Sequence, residues 1–330
     1  MPSNVDSKTI RIATRGSALA LAQACSVLEA CRAKFPALEF ELKIFKTSGD
    51  KLQTASMAKE NGLLPKGLFT KELETALIRG KADMAVHSLK DLPTELPEGL
   101  CLGGVGGKRE DVRDVLIYRD GRLKLEMGRG FAPGSSLEQL PAQAVVATSS
   151  TRRAAQILAV RPDIKIVPIR GNVVTRMEKL LRQPELDSTV LAMAGLTRLK
   201  IRVEADGRLA GEGIPSGLLA QVLRAEQMLP CVGQAIIGIE IRRDDERLLK
   251  VCAGINDLMT LQCGLAERAL LKAMGGGCQA PLGAYAREDA VGMICLEAVS
   301  FLSGKARRAS GVLPATQAVE LGERVASQIK

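Results

Sequence analysis

The chain has 330 residues, of which 46% are hydrophobic and 25% charged, and its formal net charge is +9. This mixture is typical of a globular protein of two or three domains, and it excludes a disordered or collagen-like chain. Tryptophan is absent and aromatic residues make up 2%, so a surface that stacks single-stranded bases on aromatic rings is poorly supplied. The positive charge favours anionic partners, either nucleic acid or a small molecule with several carboxylates.

No apolar run approaches the length needed to cross a bilayer, and Asp6 and Arg11 interrupt the order expected of a signal peptide. We therefore expect a cytoplasmic protein without a membrane partner. The eight cysteines include no CxxC pair, and the chain has a single histidine. This pattern predicts no metal site, and it predicts that most cysteines are buried small hydrophobes or free thiols.

The first third of the chain alternates short apolar runs with amphipathic segments. Strands are predicted over residues 9–13, 38–45 and 84–86, and helices over residues 17–34 and 69–79. Ser17 is of the residue type that caps helix N-termini, and Gly80 of the type that follows helix C-termini.

The same alternation continues to the end of the chain. Strands are predicted over residues 145–147, 164–169, 189–192 and 236–241, followed by a long helix from about residue 256, two or three strands, and a helix over residues 315–329. Residues 103–109 look like a phosphate-binding loop, but Leu102 and Arg109 break the required pattern, so a hinge or turn is predicted there. Strands alternating with helices predict α/β domains that bind ligands at the carboxyl ends of strands.

An arginine recurs where a predicted strand gives way to a helix. The arginines at or near such junctions are Arg15, Arg152, Arg153, Arg170, Arg176 and Arg198. Free N–H groups at a helix start and guanidinium groups both bind carboxylate or phosphate. The repetition therefore predicts an anion-binding cleft, although periodicity does not say which anion it takes.

Two further segments carry reactive side chains. His87, Lys90 and Asp91 follow a buried strand, where Asp91 could serve proton transfer or form a cap or ion pair, and where a structural hydrogen bond is the favoured role for His87. Cys278 follows three glycines, which fits either an accessible nucleophile or a buried cysteine after a flexible turn. The residue types alone leave these alternatives open.

Together these segments resemble the porphobilinogen deaminase (hydroxymethylbilane synthase) family. The matching stretches are residues 11–17, 66–74, 85–93, 148–153, 170–176, 191–199, 229–240 and 276–283. The resemblance implies an α/β fold class with three domains: two periplasmic-binding-protein-like α/β domains flanking a cleft, and a small C-terminal α/β domain. The implied boundaries are residues 1–108 plus 235–255, 109–234, and 256–330.

The resemblance also implies the chemistry. Four porphobilinogen units are joined head to tail with loss of ammonia, giving hydroxymethylbilane for tetrapyrrole (haem) biosynthesis. A dipyrromethane cofactor, held by a thioether on the position of Cys278, primes the reaction, and Asp91 matches the catalytic aspartate. Because each pyrrole carries an acetate and a propionate, arginines suit the growing chain.

Further residues are implied position by position. Those matching cofactor contacts are Ser88, Lys90, Thr148, Ser149, Arg152, Arg153, Arg170 and Gly171. Those matching substrate contacts are Arg15, Ser17, Arg152, Arg153, Arg170, Arg176, Arg198 and Gln234. The segment between Lys59 and Lys66 is longer than the lid-like loop of the family, so the roles of these two lysines stay open.

The resemblance implies a monomer that binds porphobilinogen, no nucleic acid and no membrane, with hand-off of product to uroporphyrinogen-III synthase as a further partner. Two other hypotheses fit parts of the sequence. An anion-binding receptor or effector domain explains the arginines but uses neither Asp91 nor Cys278. Nucleic-acid binding explains the net charge but predicts exposed basic patches rather than arginines at strand–helix junctions.

Overall fold

The computed structural model describes residues 9–47, 70–123, 128–277 and 279–330. The strands described are β1 (Thr9–Arg15), β2 (Glu39–Phe45), β3 (Met84–Ser88), β4 (Leu100–Val105), β5 (Asp114–Arg119), β6 (Val145–Ala147), β7 (Lys165–Val167), β8 (Ser188–Ala192), β9 (Arg202–Val203), β10 (Leu209–Ala210), β11 (Leu218–Val222), β12 (Ile237–Arg242), β13 (Leu282–Glu288), β14 (Met293–Ser300) and β15 (Arg307–Pro314). The helices described are α1 (Ala18–Lys34), α2 (Lys71–Ile78), α3 (Thr151–Val160), α4 (Val173–Arg182), α5 (Met193–Arg198), α6 (Glu246–Ile255), α7 (Leu258–Ala273) and α8 (Ala318–Ile329).

The chain divides into two compact units. The first comprises Met1–Arg109 and Ile236–Gly264, and the second comprises Glu110–Ala235 and Leu265–Lys330. No helix in the described part of the chain has the length and apolar character needed to cross a membrane.

A five-stranded mixed sheet in the order β2-β1-β3-β12-β4 forms the centre of the first unit. Strands β1, β2 and β3 are parallel, and β12 runs antiparallel to both of its neighbours. Ile10 and Ile12 alternate onto the face covered by α1 and α6, whereas Ala13 meets Leu73 and Leu77 of α2 on the other face. Both faces of the sheet are therefore core, which confirms the α/β expectation for this part of the chain.

The second unit contains a second five-stranded mixed sheet, in the order β11-β5-β8-β6-β7. Strands β8, β6 and β7 are parallel, and β5 is antiparallel to β8 and β11. Ile117 packs with Met177 of α4 on one face, and Leu116 packs with Ile157 of α3 on the other. A three-stranded antiparallel sheet, β13-β14-β15, follows, and α8 packs on it.

Three predictions made from the sequence are wrong in detail. Residues 103–105 do not form a hinge but end β4, and Gly103 is needed there because a Cβ would lie 2.6 Å from Cδ1 of Ile241. The charged pair Arg242 and Arg243 indicates solvated surface in the sequence, but Arg242 donates to the carboxylates of Asp83 and Asp245. Cys25 lies in an apolar helical pattern that favours core packing, but its side chain is exposed.

Candidate functional site

In the first unit, the predicted site residues gather at the carboxyl ends of β1 and β3, which are parallel neighbours. Arg15 is the last residue of β1. Ser17 caps α1, as predicted, by accepting a hydrogen bond from the Ala20 N–H at 3.4 Å. Gln23 of α1 donates to the Ser88 hydroxyl at 2.9 Å, which ties the helix to the end of β3. The polar ends of two strands thus meet at one edge of the sheet.

Asp91 lies on a single 3₁₀ turn that directly follows β3. The N–H of Leu89 donates to the Ile236 carbonyl at 2.9 Å, and the N–H of Leu92 donates back to the Leu89 carbonyl at 3.2 Å. Leu89 and Leu92 are each 2% exposed, whereas Lys90 is half-buried and Asp91 is exposed. Two buried leucines therefore anchor the turn and leave the Asp91 carboxylate accessible.

His87 makes the structural hydrogen bond expected from the sequence. Its Nε2 lies 3.0 Å from Oε2 of Glu240 in the neighbouring strand, and both side chains are buried. The imidazole therefore belongs to the interior of the first unit.

In the second unit, the first strand–helix junction is the one predicted after β6. Ser150 caps α3 by accepting from the Arg153 N–H at 3.4 Å. The N–H of Thr148 donates to the Val167 carbonyl at 2.8 Å, and the Ser149 hydroxyl donates to the Ile169 carbonyl at 2.8 Å. These bonds hold the segment after β6 against the segment after β7.

The second junction precedes α4. Asn172 caps this helix, its Oδ1 accepting from the Thr175 N–H at 2.9 Å. Gly171 has a φ of +121°, a conformation that residues with a Cβ rarely adopt. Arg176 Nε donates to the Gly171 carbonyl at 2.8 Å, and Arg170 is exposed. The carbonyl of Gly171 therefore helps to fix the orientation of the Arg176 guanidinium.

Asp114, at the start of β5, binds three of the predicted residues. Arg152 Nη2 donates to its Oδ2 at 2.7 Å and Arg153 Nη2 to its Oδ1 at 2.8 Å. Gln234 Nε2 donates to Oδ1 at 2.9 Å. Each guanidinium also donates to a backbone carbonyl: Arg152 Nη1 to that of residue 229 at 2.6 Å, and Arg153 Nη1 to that of residue 190 at 2.8 Å.

The charges around Asp114 do not balance. Asp114 is fully buried, and Arg152 and Arg153 are 3% and 6% exposed. Burial on its own would raise the pKa of Asp114, but the charges and hydrogen bonds of the two arginines together hold that pKa well below its usual range. One carboxylate thus faces two guanidinium groups, and Arg152 Nε is a buried N–H without a hydrogen-bond partner in the described part of the chain.

Arg198, the last residue of α5, is a second largely buried arginine with an unused N–H donor in the described part of the chain. Its Nη2 donates to the Ala235 carbonyl at 2.6 Å, and its Nε is buried without a partner among the residues the structure describes. Burial lowers the pKa of Arg198 to about 10, against the opposing charge of Glu110. The guanidinium therefore stays charged at neutral pH and has hydrogen-bonding capacity to spare.

Three predicted positions, Cys278, Lys59 and Lys66, lie outside the described residues. Gln279, the next residue after Cys278, accepts a hydrogen bond at its carbonyl from the Thr151 hydroxyl at 2.6 Å. Thr151 begins α3, the helix that carries Arg152 and Arg153. Among the described residues, no group of three His, Cys, Asp or Glu side chains is arranged to hold a metal ion.

Within each unit the structure brings the described site residues to one edge of a sheet. In the first unit these are Arg15, Ser17, Ser88, Lys90 and Asp91. In the second they are Thr148, Ser149, Arg152, Arg153, Arg170, Gly171, Arg176, Arg198 and Gln234. Their ligand-binding roles remain predictions.

Sequence reasoning missed Asp114. Its partners Arg152 and Arg153 are 38 and 39 residues away along the chain, so no local pattern connects them. The available signal was an acidic residue directly before the apolar run of residues 115–118, because a charge at the start of a buried segment needs a partner.

Comparison with known proteins decides the family. A family model described as porphobilinogen deaminase, dipyromethane cofactor binding domain, matches residues 10–250, and one described as porphobilinogen deaminase, C-terminal domain, matches residues 261–330. The chain belongs to the porphobilinogen deaminase family. The predicted dipyrromethane cofactor is thereby confirmed at the level of the family, and the enzyme hypothesis is favoured over the receptor and nucleic-acid hypotheses.

Named relatives of this family cover nearly the whole chain. Porphobilinogen deaminase of Desulforamulus reducens is 40% identical over 97% of this chain and 94% of its own length. That of Maridesulfovibrio salexigens is 39% identical over 98% and 94%, and that of Desulforudis audaxviator is 44% identical over 88% and 84%. Among solved structures, the BenM effector binding domain with its effector benzoate aligns over 75% of this chain and 90% of its own, at 13% identity and a TM-score of 0.40.

Proposed function

We propose that this chain joins four porphobilinogen units head to tail to form hydroxymethylbilane, with Asp91 promoting each coupling. The observation that carries the proposal is the placement of Asp91, exposed on a turn whose flanking leucines are buried. In each coupling, the bond from the aminomethyl carbon to nitrogen breaks and a bond from that carbon to a free pyrrole ring carbon forms. The ring carbon loses a proton, the nitrogen leaves as ammonia, and water supplies the hydroxyl group of the finished hydroxymethylbilane.

The chain's own groups fit a dipyrromethane bearing carboxylates. Arg152 Nε and Arg198 Nε are buried N–H groups without partners in the described part of the chain, and the arginines around Asp114 exceed its single charge. Carboxylates supply the acceptors and the negative charge that this arrangement lacks. When bound, the dipyrromethane supplies the pyrrole carbon from which the product chain is extended.

The proposed roles follow from position and chemistry. Arg170, Arg176 and Arg198 bind pyrrole carboxylates, because guanidinium stays charged at neutral pH and donates two parallel hydrogen bonds. Asp114 sets the orientation of Arg152 and Arg153. Arg15 and Ser17, with Ser88 and Lys90, bind the substrate or cofactor at the edge that presents Asp91. In the second unit, we propose cofactor contacts for Thr148, Ser149 and Gly171, and a substrate contact for Gln234.

The Asp91 carboxylate can accept a hydrogen bond from a pyrrole N–H and stabilise the positive charge that develops as ammonia leaves. Because Asp91 is exposed, replacing it costs the fold little. We expect Asp91→Asn to lose at least about a hundredfold in turnover with an unchanged melting temperature. Glu98→Gln, a neutralised exposed acid of the same unit, is the control and keeps normal turnover. Near-normal turnover of Asp91→Asn would defeat the assignment.

We further propose that Cys278 holds the dipyrromethane through a thioether. The hydrogen bond from Thr151 to its neighbour Gln279 supports this, because Thr151 begins the arginine-bearing helix α3. Intact-mass spectrometry tests the assignment directly: Cys278→Ser should lack the added mass, whereas the exposed-thiol control Cys25→Ser should carry it. Added mass on Cys278→Ser would refute the attachment.

The remaining expectations stand as proposals. The domains comprise residues 1–108 plus 235–255, 109–234, and 256–330, and the roles of Lys59 and Lys66 stay open. We propose a cytoplasmic monomer that passes its product to uroporphyrinogen-III synthase. The free cysteines of the described chain, such as Cys31 and Cys252, support a reducing compartment.

A further inference from the structure

A buried cluster of titratable side chains lies in the first unit behind the turn that carries Asp91. His87, Glu240 and Glu74 are 5%, 0% and 9% exposed. His87 Nε2 and Glu240 Oε2 are 3.0 Å apart. None of the three groups has a role in the coupling proposed above.

The strand register puts His87 and Glu240 on the same face of the sheet. His87 of β3 lies opposite Gly238 of β12, and Glu240 lies opposite Ala85, so the two side chains are diagonal neighbours. Ala85 packs with residues of α2, and Glu74 belongs to that helix. The imidazole is therefore enclosed between two strands and a helix.

Burying this cluster of ionisable side chains is energetically unfavourable. Burial raises the pKa of Glu74, and the charge of Glu240 raises it further. Glu240 Oε1 is buried with no hydrogen-bond partner among the residues the structure describes. Apolar side chains of similar volume would fill the same space without burying ionisable groups. Its presence at this position points to a function other than stability.

We propose that His87, held by Glu240, is a positioning residue for Asp91; this inference rests on the reaction proposed above. The end of β3 is fixed on both faces: His87 is bonded to Glu240 on the α2 face, and Ser88 is bonded to Gln23 on the α1 face. The turn that presents Asp91 begins at the next residue, Leu89. A rotation or shift of the strand end would therefore be passed directly to the Asp91 carboxylate.

A double-mutant cycle distinguishes positioning from a general contribution to the fold. We expect His87→Gln in the holoenzyme to lower kcat about tenfold and to leave KM within about twofold, because misplacing a catalytic group slows chemistry more than binding. In the Asp91→Asn background the same change should lower kcat less than about twofold, since the group being positioned is gone. Equal losses in both backgrounds, or an unchanged kcat, would overturn the proposal.

Two further variants keep the test decisive. Glu240→Leu removes the oxygen that His87 contacts and should show the same dependence on Asp91, which matters if His87→Gln does not fold. Asp83→Asn, the control, breaks the ion pairs with Arg11 and Arg242 just before the start of the same strand, and its effect on kcat should not depend on Asp91. A wild-type chain that fails to convert porphobilinogen would refute the proposed function itself, whereas an active wild type with an additive cycle would refute only the positioning role.

Discussion

Arg153 binds Asp114 through two nitrogens of one guanidinium, Nη2 at 2.8 Å from Oδ1 and Nε at 3.2 Å from Oδ2. Arg152 and Gln234 occupy further positions around the same carboxylate. The geometry fixes a cationic group in the interior of the second unit, and its consequences for stability can be measured.

Asp114→Asn should destabilise the protein strongly. It leaves the buried guanidinium groups of Arg152 and Arg153 without their counter-charge, and losing one partner of a buried ion pair costs about 3–5 kcal/mol. The free energy of unfolding from urea titration is the measurement. The control is Asp111→Asn, which removes a partly exposed pair with Arg113 and should cost less than about 1 kcal/mol because solvent screens that pair. Similar losses in both variants would contradict this account of Asp114.

The same carboxylate predicts how stability depends on pH. The pKa of Asp114 is held below its ordinary value in the folded state, so its contribution is present above the unfolded pKa of about 3.9 and is lost as pH falls. Wild type should therefore lose stability steeply below about pH 4, and Asp114→Asn should show a shallower decline. Unfolding free energies from pH 2.5 to 6 would test this. Parallel curves for wild type and Asp114→Asn would show that protonation of Asp114 does not cause the loss of stability at low pH.

Arg198→Met should weaken substrate binding without weakening the fold. The guanidinium is largely buried, and its Nε has no partner in the described part of the chain, so an apolar side chain of similar length relieves a desolvation cost that offsets the lost hydrogen bond to the Ala235 carbonyl. We expect KM for porphobilinogen to rise about tenfold, which corresponds to one lost charge-assisted hydrogen bond. The melting temperature should stay the same or increase.

The exposed Arg202 provides the matched control for this change. Arg202→Met should alter neither KM nor the melting temperature. An unchanged KM in Arg198→Met would remove Arg198 from the substrate-binding set.

Gly171→Ala should strain the junction before α4. The backbone there has a φ of +121°, and an added Cβ would lie 2.8 Å from Cγ2 of Thr175. We expect a loss of about 1–3 kcal/mol in unfolding free energy. Gly107→Ala separates backbone strain from the steric contact, because Gly107 has a φ of +94° but nothing lies within 4 Å of the added Cβ. A smaller loss at Gly107 would assign the difference to the contact with Thr175.

Local sequence patterns predicted the strand–helix junctions well. The Ser17 cap and the positive φ of Gly80 come from side-chain and backbone preferences that act within a few residues. The turn at Asp91 is local only in part, because the Leu89 N–H that anchors it donates to the carbonyl of the distant Ile236. The Ser17 cap and the Gly80 conformation are therefore determined by residues close to them in the sequence.

The features that sequence patterns missed depend on distant residues. Strand β5 is buried along its whole length, so it lacks the alternation that reveals a strand. Its last residue, Arg119, is buried because its guanidinium donates to backbone carbonyls near the end of α4, including that of Gln183 at 2.6 Å. Asp114 and Glu240 likewise acquire their partners only when the chain folds. Such residues appear in the sequence as isolated charges.

The position of β12 has a consequence for synthesis of the protein. This strand lies between β3 and β4 in the first sheet but is encoded more than a hundred residues after them. A nascent chain that has emerged only as far as Arg109 must expose two unpaired strand edges until Ile237–Arg242 leaves the ribosome. Chaperone contacts during translation should therefore concentrate on chains from which Ile237–Arg242 has not yet emerged, and a fragment cut after Arg109 should aggregate.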